Sequence, residues 1–460
     1  MKILALILSL SFLVFIHELG HFLFARLFKT RVEQFYLFFN PYFSLIRAKR
    51  YNGKWHFSFF SRQAPEEFAE HPDKTEWGLG WLPFGGYCSI AGMIDENNTS
   101  ADSLASEPQP WEYRSKKAWQ RLLIVLGGVL MNFIGAIVIF AGILFTWGKE
   151  TLPLQNDTQG YDYVEVALKG GFQNGDIITK VEGKEVHQLS DALEQILLED
   201  TRQVSVLRNG VEETITLPQD FAQQLLASGA KQFATPRFPF VIDNFVIGSA
   251  AEKAGMKVGD SITDLNGVKT ASFSDFVKEI ENKKGQKIDI TYYRQGKENI
   301  ATIQLGADGK IGAACKNPAM IYQTEKTEYN IFESIPAGIA LGCETLVSYV
   351  KQFKLVFTKE GASQLGGFGA IGSMFPETWN WALFWNMTAF LSIILAFMNI
   401  LPIPALDGGH VMFTLWEMIT GKKPGDKFMA RAQTIGMVIL FALLIYANGN
   451  DLYRWISSKF

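Results

Sequence analysis

The chain has 460 residues, 48% of them hydrophobic and 13% aromatic, and only 19% are charged. That charge content is low for a soluble chain of this length. A net charge of −3 and the lack of a dense basic tract argue against a nucleic-acid partner, and three widely spaced cysteines (Cys88, Cys315, Cys343) make neither a disulfide framework nor a thiolate metal site.

Taken in chain order, the first element is an apolar run over residues 4–16 that continues through Phe22, Leu23 and Phe24 with no small-x-small cleavage site. It reads as a retained first transmembrane helix (1–30) and not as a signal peptide. Residues 31–92 are β-prone: 33–39 and 55–60 are rich in aromatics, and Asn52-Gly53 is a hairpin turn signal. Residues 77–90 carry Pro83 and Gly85-Gly86, which fit an edge strand or a bulge. A small β-sheet is expected, its aromatic face dipping into the membrane from the cytoplasmic side. A polar cytoplasmic loop (93–120) leads to a second transmembrane helix (121–148), whose apolar stretch over 122–145 meets the roughly 20 residues a span needs.

A soluble block with an internal repeat follows. GGFQNGDIITKVEGKEV (170–186) matches AGMKVGDSITDLNGVKT (254–270) in its Gly, Gly-Asp and Ile positions. A period of roughly 80 residues is too long for a solenoid unit, so it reads as two copies of one small domain, 152–222 and 235–308. The pattern resembles the PDZ domain, which would make both copies peptide-binding α+β modules. Residues 330–360 place Glu344, Ser348 and Lys351-Gln352 at helical spacing among apolar residues. This predicts an amphipathic helix lying flat on the outer membrane surface, with a fifth span as the alternative. A third transmembrane segment (381–420) and a fourth (433–450) complete the chain. Basic clusters at 26–31, 114–121 and 422–431 flank these runs, and the positive-inside rule makes all three cytoplasmic. The expected fold class is a multi-pass α-helical membrane protein of about four transmembrane helices, with a membrane-dipping β-sheet and two extracytoplasmic PDZ-like α+β domains.

The chemistry is carried by His17-Glu18-Leu19-Gly20-His21. In an HExxH motif on a helix, the two imidazoles share one face and can bind one Zn²⁺, with the glutamate beside them as general base. The alternative is polar residues packed in a helix bundle. Against it, each ionisable group in a span is penalised by roughly 2.5–3.5 kcal/mol on insertion scales, so three of them need a partner such as a cation. A catalytic zinc takes three protein ligands and leaves one position open. Near residues 399–410 (NILPIPALDGGH), Pro402 and Pro404 interrupt the helix and Asp407 is the only carboxylate. Gly408-Gly409 reads as a flexible joint presenting Asp407, and His410 is the competing ligand. His56, His71 and His187 read as packing or surface residues.

HExxH in the first span, N-x-x-P and L-D-G in a later one, and PDZ-like repeats between them resemble the site-2 protease family of intramembrane metalloproteases. The resemblance covers nearly the whole chain. It implies His17, His21 and Asp407 as zinc ligands and Glu18 as the catalytic residue. It also implies substrate contacts at Asn399 and Pro402 of the N-x-x-P motif, and at Gly85 and Gly86 of LPFGGY (82–87), which is similar to the family's membrane-dipping β-loop. The implied activity is regulated intramembrane proteolysis of single-span membrane proteins, such as anti-sigma factors or signal-peptide remnants. The implied place is the bacterial cytoplasmic (inner) membrane, with the active site in its cytoplasmic half and the repeats periplasmic, where peptide termini are possible partners. Two rivals are a membrane PDZ scaffold with a dead site and a transporter or metal channel using the same ligands. The intact Glu18 argues against the first, and the lack of further intramembrane acids along a path argues against the second.

Overall fold

A computed structural model describes residues 1–93, 107–151, 159–198, 201–228, 230, 232–246, 248–306, 308–316, 321–322 and 325–457. Much of the expected cytoplasmic loop therefore lies outside the described residues. The chain divides into two compact units: Met1–Gly148 with Glu328–Thr358 and Ala362–Phe460, and Lys149–Thr327 with Lys359–Gly361.

The first unit opens on α1 (Lys2–Leu27), where a long apolar run without proline makes helix the natural state. Five strands follow: β1 (Val32–Phe39), β2 (Ser44–Tyr51), β3 (Lys54–Ser61), β4 (Glu76–Leu79) and β5 (Leu82–Ile90). They form one sheet in the order β3-β2-β4-β1-β5. Asn52 and Gly53 turn the β2–β3 hairpin with positive φ of 51° and 75°, as a two-residue turn of this type requires. The residues expected to form one strand over 77–90 divide in two. β4 lies inside the sheet, parallel to β1, and β5 forms the edge, antiparallel to β1. At the other edge, Trp55, Phe57 and Phe59 alternate along β3 and stay exposed (48%, 59% and 61%).

Helix α2 (Ala118–Trp147) packs on α1 through glycines. A Cβ on Gly20 would strike the Gly127 carbonyl, and one on Gly127 would sit 2.7 Å from the Gly20 carbonyl oxygen, so these two backbones meet directly. The remaining helices are α3 (Ile331–Phe353), α4 (Trp381–Ile400), α5 (Asp407–Thr420) and α6 (Asp426–Ser457). Among the described residues, five helices are long and apolar enough to cross a membrane; Ile331–Phe357 is the least apolar of them. The amphipathic α3 packs lengthwise. Gly338 lies on Ala141 and Gly342 on Ile137 of α2, while Tyr349 and Phe353 meet Phe390 and Phe397 of α4. After α3 the chain turns back, since Ile371 and Phe375 pack with Leu6 near the start of α1 and Phe384 near the start of α4.

The second unit holds the two repeats, and they share one plan. A short strand (Tyr161–Tyr163; Phe240–Phe245) precedes a short helix and a hairpin. An amphipathic helix (Leu189–Leu198; Phe273–Ile280) follows, then a second hairpin. Each repeat closes on a strand that returns to its first: Ala234–Pro236 on Tyr161–Tyr163, and Ala313–Cys315 on Phe240–Phe245. The repeats thus extend beyond the expected ends at 222 and 308, because three-residue closing strands are too short to show alternation in sequence. The Gly-Asp of each motif is fixed identically. Buried Asp176 receives two bonds from Arg208 (2.9 and 2.7 Å), and buried Asp260 receives two from Arg294 (both 2.7 Å). Each arginine also donates to a glycine carbonyl, Gly171 or Gly255.

Candidate metal centre

Two helix termini and one helix face build the site. His17 and His21 lie one turn apart on α1, their Nε2 atoms 3.2 Å from each other. Helix α4 stops at Ile400 because Pro402 and Pro404 cannot continue it. The chain then turns through Ala405, whose φ is 81°, and restarts as α5 on Asp407, an acidic residue where a helix N-terminus favours one. Asp407 Oδ2 comes to 3.2 Å from His17 Nε2 and 3.4 Å from His21 Nε2. This oxygen is buried, and among the described residues no hydrogen-bond donor is in line with it. Ligands about 2.0–2.1 Å from a tetrahedral zinc stand roughly 3.3 Å from one another. The three observed separations of 3.2, 3.2 and 3.4 Å fit such an ion.

Gly408 and Gly409 do not form a flexible joint. Both are buried in the first turn of α5. A Cβ on Gly408 would strike the Leu401 carbonyl, and one on Gly409 would lie 2.7 Å from Pro404 Cα. They are glycines because the α4–α5 connection packs against them, and this close approach sets where Asp407 points.

Helix α2 backs both histidines through residues that the sequence reading passed over. Ile124, Gly128 and Asn132 recur every fourth position and so share a face. The Ile124 carbonyl is 2.9 Å from His21 Nδ1, and the Asn132 amide is 3.2 Å from His17 Nδ1. A Cβ on Gly128 would stand 2.6 Å from both His17 Cε1 and His21 Nε2, so only glycine admits the two rings. Ser392 of α4 donates to the Asn132 carbonyl at 2.7 Å. Asn132, a lone amide inside an otherwise apolar span, was the available signal.

A cavity of about 240 Å³ opens on this centre, lined by Glu18, Gly86, Tyr87, Cys88, Asn399 and His410 beside the three candidate ligands. Of the predicted site residues, His17, Glu18, His21, Asp407, Asn399 and Gly86 meet there. Gly85 does not line it; with φ at 155°, its added Cβ would meet the Phe39 ring. Pro402 is exposed outside the cavity. His410 lines the wall without joining the ligand cluster. His56 and His71 stack on Tyr51, the packing role expected of them.

The sequence pattern of peptidase family M50 matches residues 5–62 and 63–443. A protein of Neisseria meningitidis that carries the name zinc metalloprotease is 27% identical over 476 residues, covering 98% of this chain and 99% of its own. The regulator of sigma E protease of Haemophilus influenzae is 26% identical (97% and 98% covered), and protease RseP of Yersinia pestis is 26% identical (98% of each). With its apolar helices and this match along nearly its full length, the chain belongs to peptidase family M50 and is a zinc metallopeptidase of the membrane.

Proposed function

We propose that the enzyme hydrolyses peptide bonds of single-span membrane proteins within the bilayer, releasing fragments in regulated proteolysis. The observation that carries this reading is the convergence of three ligand atoms and Glu18 on one cavity whose far wall is the edge strand β5. His17, His21 and Asp407 would hold the zinc, which when bound supplies Lewis acidity to the scissile carbonyl and to a water. Glu18 takes the proton of the attacking water and returns it to the leaving amine. Asn399 offers an amide N–H to substrate backbone or to the developing oxyanion.

A peptide bond inside an intact helix is shielded by its own hydrogen bonds, so the substrate must unwind. The outer edge of β5 can receive an extended segment, exchanging helix bonds for ladder bonds. Pro402 and Gly85 belong to this reading as supports: one breaks the helix before Asp407, the other shapes the strand. Cleavage should rise across a substrate series as Gly, Pro or Asn replace Leu in the span, and Gly86→Pro should lower it without changing zinc content. A flat series with a fully active Gly86→Pro variant would remove the edge-strand step.

Orientation follows the basic clusters: active site in the cytoplasmic half of the inner membrane, repeats in the periplasm. The start of α3 beside the C-terminal half of α2 and the return of the chain before α4 support a four-span order, with α3 lying against α2 and α4 and most of its surface exposed. The two repeats, read as PDZ-like modules, would exclude substrates with bulky outer domains and could hold peptide termini. Deleting residues 152–305 should then admit intact substrates; if only clipped ones are cut, the filter is absent.

A further inference from the structure

We infer that Asn132 is a positioning residue that fixes the ring of His17 for metal binding, its side-chain amide oxygen accepting the Nδ1–H of His17. This rests on the metal reading given above and concerns a residue outside the ligand set. His17 turns Nε2, not Nδ1, toward Asp407 and His21. For Nε2 to offer its lone pair, the proton of the neutral ring must sit on Nδ1. That N–H then needs an acceptor.

The two histidines meet this need differently. His21 Nδ1 faces the Ile124 carbonyl at 2.9 Å. A main-chain carbonyl can only accept, so α2 itself fixes the tautomer of His21. His17 Nδ1 faces a side-chain amide at 3.2 Å, which can present either oxygen or nitrogen. In the structure the nitrogen faces the ring, and the amide oxygen is buried with no partner among the described residues. Turning the amide over places the oxygen on Nδ1–H and ends the orphaning of that acceptor. The side chain that must do this is fully buried, and its main chain is held by Ser392 of α4. Of the two α2 groups that face the histidine Nδ1 atoms, Asn132 is the side chain, and a mutation can switch it without touching a ligand or the backbone.

The test measures zinc affinity, by chelator competition on the full-length detergent-purified protein, and uses no activity assay. Asn132→Leu fills the space without an acceptor and should weaken zinc binding by roughly 10–100-fold, the usual cost of losing such a partner. Asn132→Asp keeps an acceptor at the same reach and should stay within about threefold of the parent. Ser392→Ala disturbs packing at the same depth but leaves the amide in place, and should likewise stay near the parent. If Asn132→Leu is not recovered folded, Asn132→Ser, whose hydroxyl is too short to reach the ring, carries the same expectation. Parent-like affinity in Asn132→Leu, or an equal loss in Ser392→Ala, would overturn the assignment. Parent-like affinity in His17→Ala would instead remove the metal reading on which it stands.

Discussion

Asp260 in the second repeat is a buried carboxylate and Asp407 at the start of α5 a half-buried one whose Oδ2 is buried, and their surroundings complete them in opposite ways. Burial alone would push the Asp260 carboxyl up. The Arg294 guanidinium, bonded to both its oxygens, and the Lys257 N–H outweigh burial and hold it below the usual range. Every lone pair that matters has a donor, and the group stabilises a turn. Asp407 Oδ2 sits beside two imidazole nitrogens with no donor in line among the described residues. A satisfied carboxylate belongs to the fold; a converging but unsatisfied one is a site in waiting, since leaving a buried acceptor unpaired costs about 1–3 kcal/mol. The same contrast separates Arg208–Asp176 from the α1 histidines.

The contrast can be broken or sharpened by mutation. The largest effect is expected at Glu18, which lines the cavity without belonging to the ligand cluster. Glu18→Gln should lower cleavage by roughly 10²–10⁴-fold while zinc content holds, since it removes the proton acceptor and little else. Near-normal turnover in that variant would show that another group moves the proton. A smaller and differently placed effect is expected in the repeats. Arg294→Leu leaves Asp260 buried without its main partner and should cost about 2–3 kcal/mol of stability in that repeat, read as an earlier unfolding transition. Arg208→Leu should do the same in the first repeat, and neither should alter zinc content. An unchanged transition would mean that the clasp is incidental.

How much of this was legible in the sequence follows the same division. The apolar runs, the HExxH spacing, Asp407 after two prolines and the duplicated Gly-Asp motif are local patterns, and local patterns survive reading. What needed three dimensions did not. Ile124, Gly128 and Asn132 matter only because α2 crosses α1 at Gly20 and Gly127. Gly408 and Gly409 look like a hinge until the 400–404 backbone is laid on them. The spacing over 330–360 is amphipathic whether the polar stripe faces headgroups or the rest of a bundle, so the lengthwise packing of α3 could not be chosen from it. The interior position of β4 depends on a parallel pairing with β1 across some forty residues, which no turn signal announces.

The central claim is that His17, His21 and Asp407 form one zinc site, and metal analysis of the purified protein tests it most directly. The parent chain and Glu18→Gln should each carry about one zinc per chain, and Asp407→Ala should carry far less after the same chelator wash, since three protein ligands are what a catalytic zinc requires. Full zinc content in Asp407→Ala would contradict the account.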